Sequence, residues 1–379
     1  MRCYLVGGAV RDELLGLPVR ERDWVVVGAT PEILRARGFI PVGKDFPVFL
    51  HPQTHEEYAL ARTERKSGRG YHGFVFHADP TVSLEEDLRR RDLTINAMAR
   101  TPDGELIDPY GGQADLAARV LRHVSPAFAE DPLRILRVAR FHAKLAPLGF
   151  RIADETLALM CELTASGELA ELSPERIWQE INRAMGEADP LSFWQTLAQC
   201  QALGYVLGDL AARWPGLGPA VLQAITPLTD DAAVRFTALI QVLAEREDEI
   251  VHLGERLKAP QRPIELARLA LRGREDAHRA LALTAAELLA LLERLDLLRR
   301  PEPLAVLLLI WQADAQVRVH QPHYPQAERL QTALTIARSV NARDLDLNGL
   351  TGPAIGETIK MARIQALADQ LTAPLDRGS

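Results

Sequence analysis

The sequence predicts an α+β protein, in which a small mixed β-sheet head is followed by an all-α neck, body and tail. Short apolar strands alternate with glycine and proline turns in the first third of the chain. Beyond about Pro147 the apolar residues recur at helical spacing instead. With 379 residues the chain is long enough for two to four domains and a substantial core.

The head begins with a strand, a glycine turn and a helix. Residues 4–6 are apolar and β-prone, Gly7-Gly8 permit a sharp turn, and residues 9–15 form a helix that stops at Gly16. The unpaired N–H groups at the start of such a helix, with Arg11 close by, suit a phosphate group. A simple tight turn is the alternative interpretation of the glycine pair.

Two carboxylates mark the next strand, which is predicted over residues 22–27. Side chains alternate along a strand, so Glu21 and Asp23 project from the same face. Holding two carboxylates together is costly unless a cation lies between them, and Mg2+ prefers such hard oxygen ligands. An exposed strand edge with two solvated acids is the alternative.

Composition and charge exclude several classes of protein. Cys3, Cys161 and Cys200 form no CxxC pair, which argues against structural zinc or a disulfide scaffold and suits a reduced cytoplasm. The chain opens into a strand without a signal-peptide pattern, and its longest apolar run, residues 304–311, is too short to cross a membrane. Net charge is −7, but residues 1–150 carry 21 Lys and Arg against 20 Asp and Glu, so basic residues cluster near the amino terminus.

Further elements of the head follow from caps and turns. Thr30-Pro31 begins a short helix, and two strands are predicted over residues 47–50 and 57–61. Their register leaves open whether Glu56 or Glu57 shares a face with the acidic pair. The polar, glycine-rich residues 62–73 are expected to form a mobile loop.

An arginine-rich helix and a hairpin complete the head. Ser83 and Glu86 form a capping box for a helix that carries three arginines before Asp92. Residues 95–100 and 105–108 are expected to pair as a hairpin. A helix opened by Pro132 would place Asp131 and Arg134 as neighbours on one face.

Several of these motifs together resemble one known family. The segments are LVGGAVRD, RDWVVVG, RRDLTINAMA, the EDxxR pattern at residues 130–134 and LSPERIWQE at residues 172–180. They resemble the class II bacterial CCA-adding tRNA nucleotidyltransferases of the DNA polymerase β superfamily. The resemblance is strong over residues 1–185 and weak beyond, apart from a tail helix at residues 352–368.

The resemblance implies a role for each matching residue. The two metal-binding carboxylates fall on Glu21 and Asp23, with Glu57 as a third catalytic acid, and the first of these is more usually Asp in the family. The nucleotide would be bound by Arg91 at its phosphates and by Asp92 at its ribose hydroxyl. The remaining nucleotide-binding positions are Gly8, Arg11, Asp131, Arg134, Arg137 and Arg140. The implied cofactor is Mg2+.

The chemistry of Asp131 and Arg134 agrees with a role in base selection. Cytosine and adenine present an exocyclic amine donor beside a ring-nitrogen acceptor, and uracil and guanine present the reverse order. A carboxylate that only accepts, beside a guanidinium that only donates, matches the first two bases. Unmet hydrogen bonds in a buried site would disfavour uracil and guanine.

The resemblance also implies the domain organisation and the partners. Residues 1–140 would form the nucleotidyltransferase head, 141–205 the helical neck, and 206–379 a body and tail that bind tRNA. The expected partners are the tRNA 3' end, ATP and CTP, without a membrane, and the expected state is a monomer in the cytoplasm. Gln241-Val242 stand where a phosphohydrolase domain of longer relatives would carry His-Asp, so we expect no phosphohydrolase activity.

The predicted reaction is addition or repair of the 3'-terminal CCA of tRNA from CTP and ATP, with release of pyrophosphate. A bacterial poly(A) polymerase would share the fold, although the strand motif of that group is replaced here by VGKDFPVFLH. Two further classes stay open, namely a non-catalytic RNA-binding relic and a nucleotidyltransferase that modifies small molecules.

Overall fold

The computed structural model describes residues 1–42, 48–66, 74–77, 79–321, 323–346 and 350–371. Contacts along the chain divide it into two compact units, Met1–Gly208 and Asp209–Ser379. The α+β class expected from the sequence is confirmed, with one mixed sheet in the first unit and helices through the second. The finer division at residues 140 and 205 stays a prediction.

A seven-stranded mixed sheet forms the base of the first unit. The spatial order of its strands is β3-β4-β5-β2-β1-β8-β9. Strands β2 and β5 are parallel, and the other neighbouring pairs are antiparallel. The strands are β1 Arg2–Val6, β2 Asp23–Val27, β3 Ile40–Val42, β4 Val48–Leu50, β5 Glu57–Leu60, β8 Ala99–Arg100 and β9 Leu106–Ile107.

The alternation of side chains along β2 explains why the sheet is covered on both faces. Val25 packs in one apolar cluster with Tyr4 and Leu88, whereas Val26 packs in another with Leu34 and other residues. Because successive side chains point to opposite faces, a run of valines buries both. Asp23 therefore lies on the Val25 face.

Two expectations for the head are wrong in part. The predicted loop over residues 62–73 contains strand β6, Thr63–Lys66, which pairs antiparallel with β7, Phe74–His77, and residues 67–73 lie outside the described residues. In the predicted hairpin, Thr94–Asn96 forms a short 3-10 helix, and only β8 and β9 pair. Leu93, just before it, forms an isolated antiparallel bridge with His123.

Helices pack around the sheet and continue through the rest of the first unit. Their starts follow the sequence signals, such as the Ser83 capping box on α3 and the Thr30 cap on α2. A further two-stranded sheet pairs β10, Val120–Leu121, with β11, Arg151–Ile152. The helices are α1 Gly8–Leu14, α2 Pro31–Ala36, α3 Leu84–Arg89, α4 Gly112–Ala118, α5 Leu133–Leu145, α6 Asp154–Ala165, α7 Pro174–Met185, α8 Pro190–Gln199 and α9 Leu203–Leu207.

The described residues of the second unit fold into helices around a core formed by α11, α13 and α15. The Trp311 indole of α15 is fully buried and donates to the Ala270 carbonyl of α13 at 2.9 Å. A Cβ atom on Gly273 would lie 2.7 Å from that ring, so the two helices approach closely there. The helices are α10 Gly218–Ile225, α11 Ala232–Leu243, α12 Glu247–Leu257, α13 Gln261–His278, α14 Ala285–Arg294, α15 Pro303–Arg318, α16 Gln326–Ser339 and α17 Gly352–Leu371.

Gln241 lies inside this helical core, fully buried on α11. Its amide donates to Asp314 of α15 at 3.2 Å. The expected lack of phosphohydrolase activity stays a prediction. Across the part of the chain that the structure describes, no helix combines the length and apolar character that a membrane span requires.

Candidate active site

One cavity of about 660 Å³ is lined by all the residues that were predicted from the sequence to be catalytic, metal-binding or nucleotide-binding. It lies over the edge where β2 and β5 begin, and α5 and α7 contribute to its lining. The residues in question are Gly8, Arg11, Glu21, Asp23, Glu57, Arg91, Asp92, Asp131, Arg134, Arg137 and Arg140. Their shared position in one cavity is an observation, and their individual roles stay predictions.

Three carboxylates line one end of the cavity. Asp23 is the first residue of β2, Glu57 is its neighbour across the parallel ladder, and Glu21 precedes the strand. Burial raises the pKa of Asp23, and the charge of Glu21 adds to the effect while that of Arg91 opposes it. Burial and then the charge of Asp23 also raise the pKa of Glu57. The folded protein therefore holds negative charge here against repulsion.

The register of β5, which begins at Glu57, distinguishes the two candidate acids Glu56 and Glu57. Glu57 lines the cavity, whereas Glu56 accepts a hydrogen bond from the Trp24 indole at 2.9 Å and is absent from the lining. Adjacent residues of a strand face opposite sides, so only one of the two can lie beside Asp23. The geometry places Glu57 there.

The acidic end of the cavity suits a divalent cation. Two carboxylates with raised pKa values and a third beside them are oxygen ligands whose repulsion a cation would relieve. Among the described residues, no group of three or more Asp, Glu, His or Cys side chains is arranged to enclose a metal by itself. A magnesium ion commonly takes one or two carboxylates and completes its shell with water and substrate phosphate. Glu21 and Asp23 fit that pattern.

The glycine turn brings the backbone close to an arginine. Gly7 has a φ of 70°, and a Cβ atom there would lie 3.0 Å from Arg91 Nη1. A side chain at this position would be strained and would press on the guanidinium. The turn therefore fixes Gly8 and Arg91 together on the cavity wall.

A chain of hydrogen bonds runs beneath the nucleotide-sized space. Arg11 Nη1 donates to Asn96 Oδ1 at 2.7 Å, and Asn96 Nδ2 donates to Asp92 Oδ1 at 3.0 Å. Arg137 Nε donates to Asp92 Oδ2 at 2.8 Å. Asn96 was not predicted as a functional residue from the sequence, although it stands within the RRDLTINAMA segment.

Asp92 is ionised by its surroundings despite its burial. Burial by itself would raise the pKa of Asp92, but the charge of Arg137 and the hydrogen bond from Asn96 outweigh it and hold the pKa well below its usual range. The charge of Asp92 in turn raises the pKa of Arg137. Arginine and amide partners thus lower the pKa of Asp92, whereas the pKa values of Asp23 and Glu57 are raised.

The predicted placement of Asp131 and Arg134 on one helix face is wrong. Helix α5 begins at Leu133, and Asp131 has extended backbone angles between a 3-10 helix and Pro132. A residue before proline is disfavoured in the α conformation, which explains the break. Both side chains nevertheless line the cavity.

Each of these two side chains is held by a different partner. Asp131 Oδ2 accepts from Arg176 Nη2 of α7 at 2.7 Å, and its Oδ1 accepts from the Leu133 backbone at 3.0 Å. The Arg134 guanidinium donates to the carbonyls of Arg90, at 2.6 Å, and of Ala127. Arg176 was not predicted either, because its contact joins segments far apart in the chain.

Phe141 of α5 carries three guanidinium groups around its ring. The distances from the ring centroid are 5.1 Å to Arg11, 5.6 Å to Arg137 and 4.4 Å to Arg140. Contacts of this kind favour the cations and hold them apart. Arg140 is also anchored to the buried Glu180 of α7 at 2.6 Å. Helix α5 therefore contributes three of the arginines that line the cavity, Arg134, Arg137 and Arg140.

Comparison with known proteins agrees with this arrangement. Residues 3–122 match the poly A polymerase head domain family, and residues 149–213 match the family described as the probable RNA and SrmB-binding site of polymerase A. A multifunctional CCA protein of Alkalilimnicola ehrlichii is 53% identical over 97% of both chains. A CCA-adding enzyme of Pseudomonas putida is 52% identical over 97% of this chain and 98% of the other.

The fold has a solved counterpart as well. The crystal structure of the Bacillus stearothermophilus CCA-adding enzyme in complex with CTP aligns with a TM-score of 0.69 and 26% identity, over 97% of this chain and 89% of that one. With more than half of its residues identical to two curated relatives across nearly their full lengths, the chain belongs to the family of the CCA-adding tRNA nucleotidyltransferases.

Proposed function

We propose that the cavity of the first unit adds or repairs the 3'-terminal CCA of tRNA. The chain transfers nucleotides from CTP and ATP without a nucleic acid template and releases pyrophosphate. The main observation that supports this function is that one cavity contains an acidic end, an arginine-lined wall and the Asp131 and Arg134 side chains. Each part serves a different portion of the reaction.

The acidic end serves the transfer step. Enzymes of this family generally use divalent metals, and here Glu21 and Asp23 would hold Mg2+, with Glu57 beside them. When bound, the metal supplies positive charge that lowers the pKa of the RNA 3'-hydroxyl and steadies the triphosphate. The raised pKa values of Asp23 and Glu57 support this assignment, because burial and the neighbouring acids disfavour their charged forms and a bound cation would stabilise them.

The arginine wall serves nucleotide binding. Arg11 and Arg91 lie near the glycine turn and would meet the phosphates, whereas Asp92 would accept from the ribose hydroxyl. Arg137 and Arg140 would contact the same nucleotide from α5. Guanidinium groups suit this task because they give charge-assisted, paired hydrogen bonds to phosphate oxygens.

Asp131 and Arg134 serve base selection. Their donor and acceptor order matches cytosine and adenine and opposes uracil and guanine. Arg176 steadies the Asp131 carboxylate, and the Arg90 and Ala127 carbonyls steady Arg134. Such anchoring supports base reading, since a side chain with a fixed orientation loses less entropy on binding.

The tRNA would approach along the segment that follows α5. Residues 149–213 match a family whose description names a probable RNA-binding site, and Arg176 and Arg183 of that segment line the cavity. The body and tail at residues 206–379 stay the predicted tRNA-binding part, and residues 149–213 would add contacts close to the cavity. The monomeric state and the cytoplasmic location stay predictions.

A direct test uses purified protein, magnesium and tRNA ending at the discriminator base. Each labelled nucleoside triphosphate is supplied alone and then CTP and ATP together, and products are separated by length. We expect two additions with CTP alone, three with both, and none with UTP or GTP. Asp131→Asn should raise incorporation of UTP or GTP relative to CTP by about tenfold, because an amide can donate where the carboxylate only accepts.

The second candidate function is poly(A) addition, because the family that matches the head is described as the poly A polymerase head domain. A poly(A) polymerase would add a long run of adenosines to the same RNA from ATP alone. If ATP alone gives products extended by many nucleotides, the protein is a poly(A) polymerase and not a CCA-adding enzyme. Binding of tRNA without any addition would instead favour the non-catalytic relic.

A further inference from the structure

We propose that Asn96 is a positioning residue for ribonucleotide selection, because its amide ties the triphosphate-side Arg11 to the ribose-side Asp92. The inference rests on the proposed function, in which Asp92 meets the ribose hydroxyl. Asn96 itself contacts neither the metal-binding acids nor the base-reading pair in the described structure. Its role is to fix the carboxylate that distinguishes ribose from deoxyribose.

Asn96 forms a bridge of two hydrogen bonds between Arg11 and Asp92, and an amide suits this position better than a charged side chain does. Asn96 is 5% exposed and lies in the short 3-10 helix Thr94–Asn96. It accepts from the Arg11 cation through Oδ1 at 2.7 Å and donates to the Asp92 anion through Nδ2 at 3.0 Å. A carboxylate at this position would repel Asp92, and an ammonium group would repel Arg11. An amide is neutral and satisfies both neighbours.

Asp92 depends on this bridge for its orientation. Its Oδ2 is held by Arg137, whereas its Oδ1 is held by Asn96 and by the Leu93 backbone N–H at 2.8 Å. Losing the Asn96 bond would leave Oδ1 with one local partner. The carboxylate could then rotate about its bond to Arg137. A ribose hydroxyl would lose a fixed acceptor, which matters most for a substrate that carries the 2'-hydroxyl.

Arg11, in contrast, has a second anchor. Its Nε donates to Asp12 Oδ1 at 2.8 Å, and Asp12 Oδ2 accepts from Lys144 of α5 at 2.7 Å. Arg11 is therefore held from the other side when Asn96 is lost. We expect the loss of Asn96 to affect discrimination between ribose and deoxyribose more than the use of CTP itself.

The test measures kcat/KM for CTP and dCTP, and for ATP and dATP, with the full-length protein and tRNA substrates. The variants are Asn96→Leu, which removes both bonds, and Asn96→Asp, which keeps the Arg11 acceptor and repels Asp92. We expect the CTP to dCTP ratio to fall about tenfold in each, the size of one lost hydrogen bond to a charged group. If Asn96→Leu fails to fold, Asn96→Asp, which matches Asn in size, decides.

Thr94→Val is the matched control. Thr94 is equally buried in the same 3-10 helix, and its hydroxyl donates to Asp115 at 2.7 Å, outside the cavity lining. This variant should lower the thermal midpoint without changing the ratio. An unchanged ratio in a folded Asn96 variant, or an equal fall in Thr94→Val, would overturn the inference while leaving CCA addition intact. Failure of the unaltered protein to add CTP would overturn the proposed function itself.

Discussion

Two buried carboxylates, Asp92 in the first unit and Asp314 in the second, are held by the same kinds of groups. Each accepts a hydrogen bond from a side-chain amide and from an arginine. The partners are Asn96 and Arg137 for the first and Gln241 and Arg318 for the second. The pKa of each carboxylate is lowered despite burial, by Arg137 and Asn96 at Asp92 and by His278 and Arg318 at Asp314.

What surrounds the two clusters differs. Asp92 lies on the wall of a large cavity that also holds Asp23 and Glu57, whose pKa values are raised. Asp314 is fully buried, and His278 supplies a further partner at 2.8 Å. A compensated buried carboxylate is therefore no sign of an active site by itself. Acids with raised pKa values beside an open cavity are the feature that distinguishes the first unit.

The largest effect should follow from Asp23→Ala. We expect CCA addition to fall about a thousandfold or more, because the variant loses a proposed ligand of the metal that stabilises the transferring phosphoryl group. The thermal midpoint should stay equal or rise, since burial disfavours the charged form of Asp23 and the charge of Glu21 adds to the effect. Activity is measured by addition of labelled CTP to tRNA, and stability by thermal unfolding.

Glu56→Ala is the control for that variant. Glu56 is an acid beside Glu57 on the other side of the strand, and its loss removes charge without opening the acidic end of the cavity. Turnover within a fewfold of normal is expected. Near-normal turnover in Asp23→Ala would refute the metal role. An equal loss of turnover in Glu56→Ala would show that the effect of Asp23→Ala comes from the lost charge in general and not from a lost metal ligand.

Asp314→Ala should have the opposite profile. Removing one partner of a buried ionic cluster costs about 3 kcal/mol, because Arg318 and the Gln241 amide lose their acceptor. We expect a clear fall in the thermal midpoint of the unfolding transition. The rate of nucleotide addition per folded molecule should be unchanged below that transition.

Asp276→Ala on α13 controls for loss of an acid in the same unit. Asp276 pairs with Arg294 on the surface, where the side chains are 29% and 43% exposed. Surface pairs of this kind contribute about 0 to 1 kcal/mol, so a small shift of the midpoint is expected. A similar shift in both variants would show that burial of Asp314 is not what stabilises the second unit.

The smallest effect concerns acid pH. Burial by itself would raise the pKa of Asp314, but the hydrogen bond from His278 and the charge of Arg318 lower it. The folded pKa lies below the unfolded one, so the carboxylate stabilises the fold above about pH 4, the ordinary pKa of Asp, and this contribution is lost as pH falls through the folded pKa. The difference in thermal midpoint between the unaltered protein and Asp314→Asn should shrink over that range. A constant difference would contradict the linkage.

Local signals predicted much of the first unit. The apolar residues of β1, the glycine turn and the alternation at Glu21 and Asp23 each act within a few positions, and the structure has the corresponding strand, turn and acidic edge. The helix starts at Thr30 and Ser83 follow capping chemistry, which is also local. For the same reason, the acids could be identified before any tertiary contact was known.

Contacts between distant segments could not be predicted in this way. The bond from Arg176 to Asp131 and the Asn96 bridge from Arg11 to Asp92 join residues far apart in the chain, and no periodicity indicates them. The choice between Glu56 and Glu57 needed the register of β5 against β2. The break before α5, in contrast, has a local cause, because Pro132 disfavours the α conformation at Asp131.

The pairing of β2 with β5 has a consequence for how the enzyme matures. Because these strands are parallel, Asp23 and Glu57 become neighbours only after the connecting chain, with α2, β3 and β4, has crossed over between them. A chain that has formed β2 alone therefore carries the Glu21 and Asp23 pair without the third acid. Glu57 adds its charge only when β5 pairs with β2, so the acidic end is completed by the fold of the whole intervening segment.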